Sequence, residues 1–258
     1  MRTPFLAFAT TALFVVTAAT ALSGCAALDS GPAVTQEREI SDVSVVELDS
    51  SGDLTVTLGA TPSLTVTAGE RVIDSLTADV EDGVLRLGMN GEPMLGNGKI
   101  RYALTVSSLE SLTVLGSGDA SIDLSGANEP TITVRGSGDV DATGIDAGTA
   151  ILTIDGSGAI DVRDAVVEEL VVRIEGSGGV SIAGTAGTQR VDINGDGGYE
   201  ASGLRSTQAF VTIRGAGSAD VTAEGTLDAV IDGSGDISYS GDARVTEDVS
   251  GSGDVSRG

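Results

Sequence analysis

Apolar and polar residues alternate along most of this chain, and the alternation itself repeats. A Gly-Ser-Gly triplet or close variant begins at Gly116, Gly136, Gly156, Gly176, Gly195, Gly215, Gly233 and Gly251, at steps of 20, 20, 20, 19, 20, 18 and 18 residues. Two residues before each first glycine stand Val114, Val134, Ile154, Ile174, Ile193, Ile213, Ile231 and Val249, all β-branched. Four before stand Leu112, Ile132, Leu152, Val172, Val191, Val211, Ala229 and Glu247; four after stand Ala120, Val140, Ile160, Val180, Tyr199, Ala219, Ile237 and Val255. The intervening positions are mostly polar, as at Thr113, Thr133, Asp141 and Asp161. A period of two is the mark of half-buried strands. Each unit therefore reads as strand, glycine corner, strand and variable return.

An earlier copy, Ser50-Ser51-Gly52-Asp53, keeps the register, with Val46 and Leu48 before it and Leu54 and Val56 after it. Between this copy and the array lie further apolar runs, a hairpin turn at Glu81-Asp82-Gly83, and a loop from Gly88 to Gly98. Residues 42–106 thus form an irregular β part and 107–258 the regular repeats of one domain.

Two all-β architectures satisfy the pattern. In a parallel β-helix each unit is one coil of about 20 residues and like positions stack; in an antiparallel meander each Gly-Ser-Gly closes a hairpin. The residue before the corner places opposite charges in successive copies at Arg135/Asp155 and Arg214/Asp232, which favours stacking. In either case the corner predicts positive φ and close chain approach, which suits Gly116, Gly118, Gly136, Gly138, Gly156, Gly158, Gly176, Gly178, Gly233, Gly235, Gly251 and Gly253.

Composition changes the picture in two ways. Aromatic residues make up 3% of the 258 and there are 37 glycines, so the core must be flat layers of Val, Ile, Leu and Ala. Tyr199 and Tyr239 fall at inward positions, which leaves few aromatic platforms for sugars. Thr133, Thr153, Thr212 and the aspartates fall outward. The formal net charge is −24, which argues against nucleic acid and anionic membrane surfaces as direct partners.

The start of the chain has the plan of an export signal: Arg2, then an uncharged run from Phe5 to Leu22, then Leu22-Ser23-Gly24-Cys25. That run resembles the lipobox of bacterial lipoproteins. The resemblance implies a signal peptide over 1–24, cleavage between Gly24 and Cys25, acylation of Cys25 and a lipidated tether over 25–41, so that the membrane is engaged through the anchor.

Ser108-Leu109-Glu110-Ser111-Leu112-Thr113-Val114, followed by Gly116-Ser117-Gly118-Asp119, resembles the GIN-domain family of adhesin heads, the DUF2807 type. The recurrent corners and Asp236-Ile237-Ser238-Tyr239-Ser240-Gly241 share the likeness, which covers about residues 42–258. It implies a right-handed parallel β-helix in the cell envelope. Gly195-Asp196-Gly197 and Gly215-Ala216-Gly217 depart from the triplet but keep its small residues.

Candidate chemistry is sparse. The chain has no His, and Lys99 and Cys25 are the sole residues of their kinds, so nucleophile–base pairs of the Ser/His or Cys/His type are excluded and no catalytic residue or cofactor is assigned. Three residues after the corner, Asp119/Asp139 and Asp236/Asp254 would stack as like charges one layer apart, where a calcium ion between them would relieve repulsion. The alternative is a solvated turn aspartate. The function expected is presentation of a rigid acidic head to an envelope protein or polysaccharide. A polysaccharide-active β-helix enzyme and a purely structural scaffold remain alternatives, and the oligomeric state stays open.

Overall fold

In the computed structural model the described residues are 30–91 and 98–258. The export signal, Gly24, Cys25 and part of the 88–98 loop lie outside the described residues. The described chain is all β apart from one 3-10 turn at Ile73–Ser75. No helix among the described residues is long and apolar enough to cross a membrane.

The regular array begins with short strands, β8 (Ser111–Val114), β9 (Ala120–Asp123), β10 (Thr131–Val134) and β11 (Val140–Thr143). It continues in long bent ones, β12 (Asp146–Gly156), β13 (Ala159–Gly176), β14 (Gly179–Gly195), β15 (Gly198–Gly215) and β16 (Ser218–Gly233). It closes with β17 (Asp236–Ser240), β18 (Arg244–Gly251) and β19 (Asp254–Arg257). Every pairing among them is parallel and joins like positions of successive copies: Ile154 lies beside Ile174, Ile174 beside Ile193, and Gly176 beside Gly195. The fold is a stacked parallel β-solenoid of about seven turns, and the antiparallel meander is ruled out by the direction of these ladders.

Inward positions form continuous columns. Leu112, Ile132, Leu152, Val172, Val191, Val211 and Ala229 make one, and the β-branched residues from Val114 to Ile231 another; all are buried. Burying one such aliphatic side chain contributes about 1.5–3 kcal/mol. Variation in repeat length is absorbed in the return segment: register shifts occur between Val162 and Ala165, between Ser181 and Gly184, and between Ala201 and Arg205. The strands flanking the glycine corner therefore stay in step throughout.

The corner differs from the expectation of positive φ at every triplet. Among the first glycines it begins at Gly176, with φ 114°, and is not present at Gly116, Gly136 or Gly156. What all copies share is close approach. A Cβ on Gly178 would press on the carbonyl oxygen of Gly158 and stand 2.6 Å from Ile154 Cγ2 in the coil below.

The first part of the chain is more ordered than its sequence implies. Strands β2 (Val45–Leu48) and β3 (Asp53–Leu58) form a full coil directly beneath β8 and β9, with Gly118 N–H donating to Ser50 O at 3.0 Å. On their other side lie β6 (Val84–Met89) and β7 (Arg101–Val106), also parallel. Stack order thus departs from chain order, because residues 59–110 leave the first coil, build the layer outside it and return. Antiparallel strands finish that end: β5 (Leu76–Glu81) pairs with β6, and β4 (Ser63–Gly69) pairs with β7. The β5–β6 turn falls at the expected Asp82-Gly83, both at positive φ (51° and 81°).

One boundary moves. Residues expected to belong to the tether include β1 (Ala33–Arg38), an edge strand paired antiparallel to β4. Its inward-alternating residues are Val34, Gln36 and Arg38, too polar to show in a hydropathy pattern. Arg38 is held by Gln36 Oε1 (2.9 Å) and Ile73 O (3.0 Å).

The close approach predicts a contrast between adjacent glycines. Gly178→Ala is expected to destabilise the protein by about 1–3 kcal/mol through overpacking. Gly179→Ala, whose added Cβ would meet nothing closer than Gly198 O at 3.7 Å, is expected to be neutral or stabilising by about 0.5–1 kcal/mol. Denaturant unfolding of both variants checks this, and equal destabilisation would refute it.

Candidate functional site: the outward columns beside the glycine corner

Like positions stack, so each outward position becomes a column running along the molecule. Three residues after the corner the column reads Asp119, Asp139, Ala159, Gly179, Gly198, Ser218, Asp236 and Asp254. Two residues further on, Asp141, Asp161, Ser181, Glu200, Asp220 and Ser238 are successive register partners.

The candidate calcium residues have a backbone task. Asp119 Oδ1 accepts the Asp139 amide at 3.0 Å, Asp139 Oδ1 accepts the Ala159 amide at 2.9 Å, and Asp236 Oδ1 accepts the Asp254 amide at 3.2 Å. Where the copy below has no aspartate, a glycine carbonyl takes the same amide: Gly198 N–H donates to Gly178 O at 3.1 Å and Ser218 N–H to Gly197 O at 3.0 Å. These side chains are exposed. Among the described residues no group of three or more His, Cys, Asp or Glu side chains is placed to hold a metal ion.

Between the two aspartate-bearing ends of the first column, Ala159, Gly179 and Gly198 leave a shallow trough of about 230 Å³. Asp161, Ser181 and Glu200 stand at its side, while Ile160 and Val180, each 1% exposed, turn their side chains into the core and border it through the backbone. Arg163 bridges Asp141 (2.6 Å) and Asp161 (3.0 Å). Glu200 and Asp220, stacked neighbours, have no basic partner among the described residues.

Elsewhere arginines pair along the columns, not always as the sequence suggests. Arg214 is in register with Asp232 but its ion pair is with Asp192, at 3.6 Å. Arg135, expected beside Asp155, forms no ion pair among the described residues. A long side chain can reach diagonally, so register alone does not choose its partner. Arg190 pairs with Glu169 at 2.8 Å and lies 4.4 Å over the Phe210 ring. Such exposed pairs contribute about 0–1 kcal/mol each.

Two polar groups lie inside the stack. Tyr199, buried as its position predicts, donates to Gln189 Oε1 at 2.9 Å; Gln189 Nε2 donates to Ser206 Oγ at 2.8 Å, and Ser206 Oγ donates to Thr222 O at 2.9 Å. The next coil has Ala209 and Ala219 beside Gln189 and Tyr199, which compensates for their size. Sequence reasoning found Tyr199 but not Gln189, which stands at a position held by Ala150, Leu170, Ala209 and Leu227 in other copies. A polar residue in that otherwise apolar column was the available signal. At the other end Tyr102 Oη and Ser50 Oγ lie 3.2 Å apart, while Ser50 Oγ also accepts the Gly52 amide at 3.1 Å. Tyr239 is half-buried. Burial pushes the Tyr199 and Tyr102 hydroxyls up from the usual phenol range. At the surface, the Ser107 hydroxyl and amide donate to Asp42 and hold its carboxyl below the usual range.

Comparison with known proteins identifies the family. The family model described as "Putative auto-transporter adhesin, head GIN domain" matches residues 43–243. The chain belongs to the GIN-domain family. Its solenoid is similar to the crystal structure of a "Putative lipid binding protein" from Parabacteroides distasonis, with TM-score 0.82 and 27% identity over 88% of this chain and 97% of that one. It is also similar to a "putative adhesin" from Parabacteroides merdae, with TM-score 0.78 and 25% identity over 88% and 96%. A second P. distasonis protein, also a "putative adhesin", shares the fold at TM-score 0.80 and 22% identity over 88% and 97%. No curated protein matches.

The buried network of this GIN domain predicts a tyrosine-specific response. Tyr199→Phe leaves Gln189 Oε1 without its donor and is expected to cost about 1–3 kcal/mol. The phenol's folded pKa is raised, so its contribution is full below the unfolded value near 10 and is lost as pH rises above it. Ultraviolet titration should show Tyr199 ionising only as the protein unfolds; its free titration in the native state would contradict the arrangement.

Proposed function

We propose that this GIN domain is the binding head of a lipid-anchored envelope protein and that it acts without catalysis. The observation that carries the reading is the spread of its polar side chains into outward columns on one rigid stack, a form suited to holding an extended partner. The adhesin names of structural neighbours accord with it. The Leu22-Ser23-Gly24-Cys25 lipobox supports acylation of Cys25 on the extracytoplasmic side of a bacterial membrane, and β1 begins eight positions after Cys25. The partner is an envelope protein or polysaccharide.

The test is photo-crosslinking of the full-length lipoprotein in intact cells, with metabolic labelling by a tagged fatty acid. Cys25→Ser is expected to lose the label and leave the membrane fraction, while the wild type yields a discrete adduct through its outward columns. Labelling that survives Cys25→Ser would refute the anchor. Turnover of an envelope polysaccharide by the purified protein would refute the non-catalytic reading.

A further inference from the structure

Among the described residues, the ladders and the core run out together at β18 and β19. Strand β18 pairs only with β16 there, and β19 only with β17, so each has one edge whose N–H and C=O groups face no partner strand. On β18, Val245, Glu247 and Val249 stand beside the buried Leu227, Ala229 and Ile231 and continue the inward columns. Val249 is 40% exposed, whereas its counterparts from Val114 to Ile231 are fully buried. The other exposed large apolar side chain among the described residues, Val166, lies between Asp146 and Thr185 with a ladder on each side. The opposite end of the stack is finished differently. There β1 and β5 are also edges, but their apolar residues Val34, Leu76, Ala78 and Val80 are buried or partly buried. An open ladder and an uncovered apolar column therefore coincide at β18. An edge of that kind is a template for a further strand.

We propose that the free edge of β18 receives an extended strand from a protein partner, with a lysine or arginine opposite Glu247 between β-branched apolar residues opposite Val245 and Val249. The proposal rests on the binding-head reading and names the place and the partner's chemistry. Main-chain hydrogen bonds to an open edge supply affinity, and alternate side chains supply selection. A partner must bring its own alternating N–H and C=O groups, which selects a protein over a polysaccharide. Glu247 selects further. It stands at an inward position that is aliphatic in the copies from Leu112 to Ala229, and its side chain has no hydrogen bond or ion pair among the described residues. A strand laid on β18 takes water from that carboxylate, so the strand must supply the compensating charge. A second copy of this chain does not supply it. Two β18 edges related by a two-fold axis pair antiparallel. With inward sides matched, they set Glu247 of one copy against the same carboxylate or against an uncharged alanine, valine or glycine of the other. Like charges directly opposite destabilise a ladder, and an inward-pointing charge is a known guard against self-pairing.

The test uses full-length lipoprotein in neutral detergent and a fluorescein-labelled peptide, Thr-Val-Thr-Lys-Thr-Val-Thr, followed by fluorescence anisotropy. This peptide has the same order in both directions and so serves a parallel or an antiparallel ladder. One control exchanges the central Lys with a neighbouring Thr, which keeps composition and charge but moves the cation to the other side of the strand. A second control is N-methylated at alternate residues and cannot complete the ladder. The expected result is roughly tenfold weaker binding of either control. Glu247→Lys is expected to reverse the preference toward a peptide with Glu at its centre, and Glu247→Gln to weaken the probe several-fold. Both variants keep the melting temperature, because the side chain is exposed. Equal binding of the probe and the displaced-Lys control overturns the proposal, since attraction to net charge then explains it. So does undiminished binding of the N-methylated peptide. So does a wild-type dimer that Val249→Asp disperses, which gives the edge to a second copy. If the probe fails to bind while crosslinking in cells still captures a partner, this edge is wrong and the binding-head reading stands.

Discussion

The closeness with which one coil lies on the next governs this molecule. Parallel strands pair about 4.8 Å apart, and at the corner the chain must turn sharply while keeping that spacing. The turn places the carbonyl oxygen of each second glycine beneath the Cα of its counterpart, as Gly158 lies beneath Gly178. A side chain there would separate the layers and break the ladders on both sides. Glycine is thus required by contact with the neighbouring copy, and positive φ is an added demand at the first position of the later copies.

Much else follows from keeping those layers in step. Because the corner strands cannot slip, differences in repeat length go to the return segment, where register shifts are found. Inward columns receive mostly aliphatic residues, and large and small ones alternate between neighbouring copies where volume demands it, as at Ala150, Leu170, Ala209 and Leu227. Where a large polar pair intrudes, at Gln189 and Tyr199, the next coil answers with alanines, and the polar atoms satisfy one another. At the first end the stack finishes in antiparallel strands, with β5 and β4 laid against the outermost coil and β1 paired to β4.

The same constraint shapes the surface. A repeated outward residue becomes a line of like groups at one-layer spacing, so chemistry is distributed along the molecule. Aspartates at the corner column take up amides of the coil above, and arginines settle part of the acidic charge by reaching diagonally. A column that loses its side chains in successive copies changes from a ridge to a groove.

The repeat, the inward register and the all-β character were readable along the chain, because a period of two and a step near 20 residues leave marks at every copy. The burial of Tyr199, the hairpin at Asp82-Gly83 and the earlier copy at Ser50 were readable for the same reason. Hydropathy alone left the parallel direction open, since hairpins and coils share one pattern, but the stacked charges favoured it, the family resemblance implied it, and the ladders bear it out. Three dimensions were needed for the insertion of residues 59–110 outside the first coil, β1 with its polar inward side, and the partner of Arg214. These depend on which residues meet across distances the chain does not record. Local alternation states which side of a strand is apolar; contact between coils decides what that side lies against.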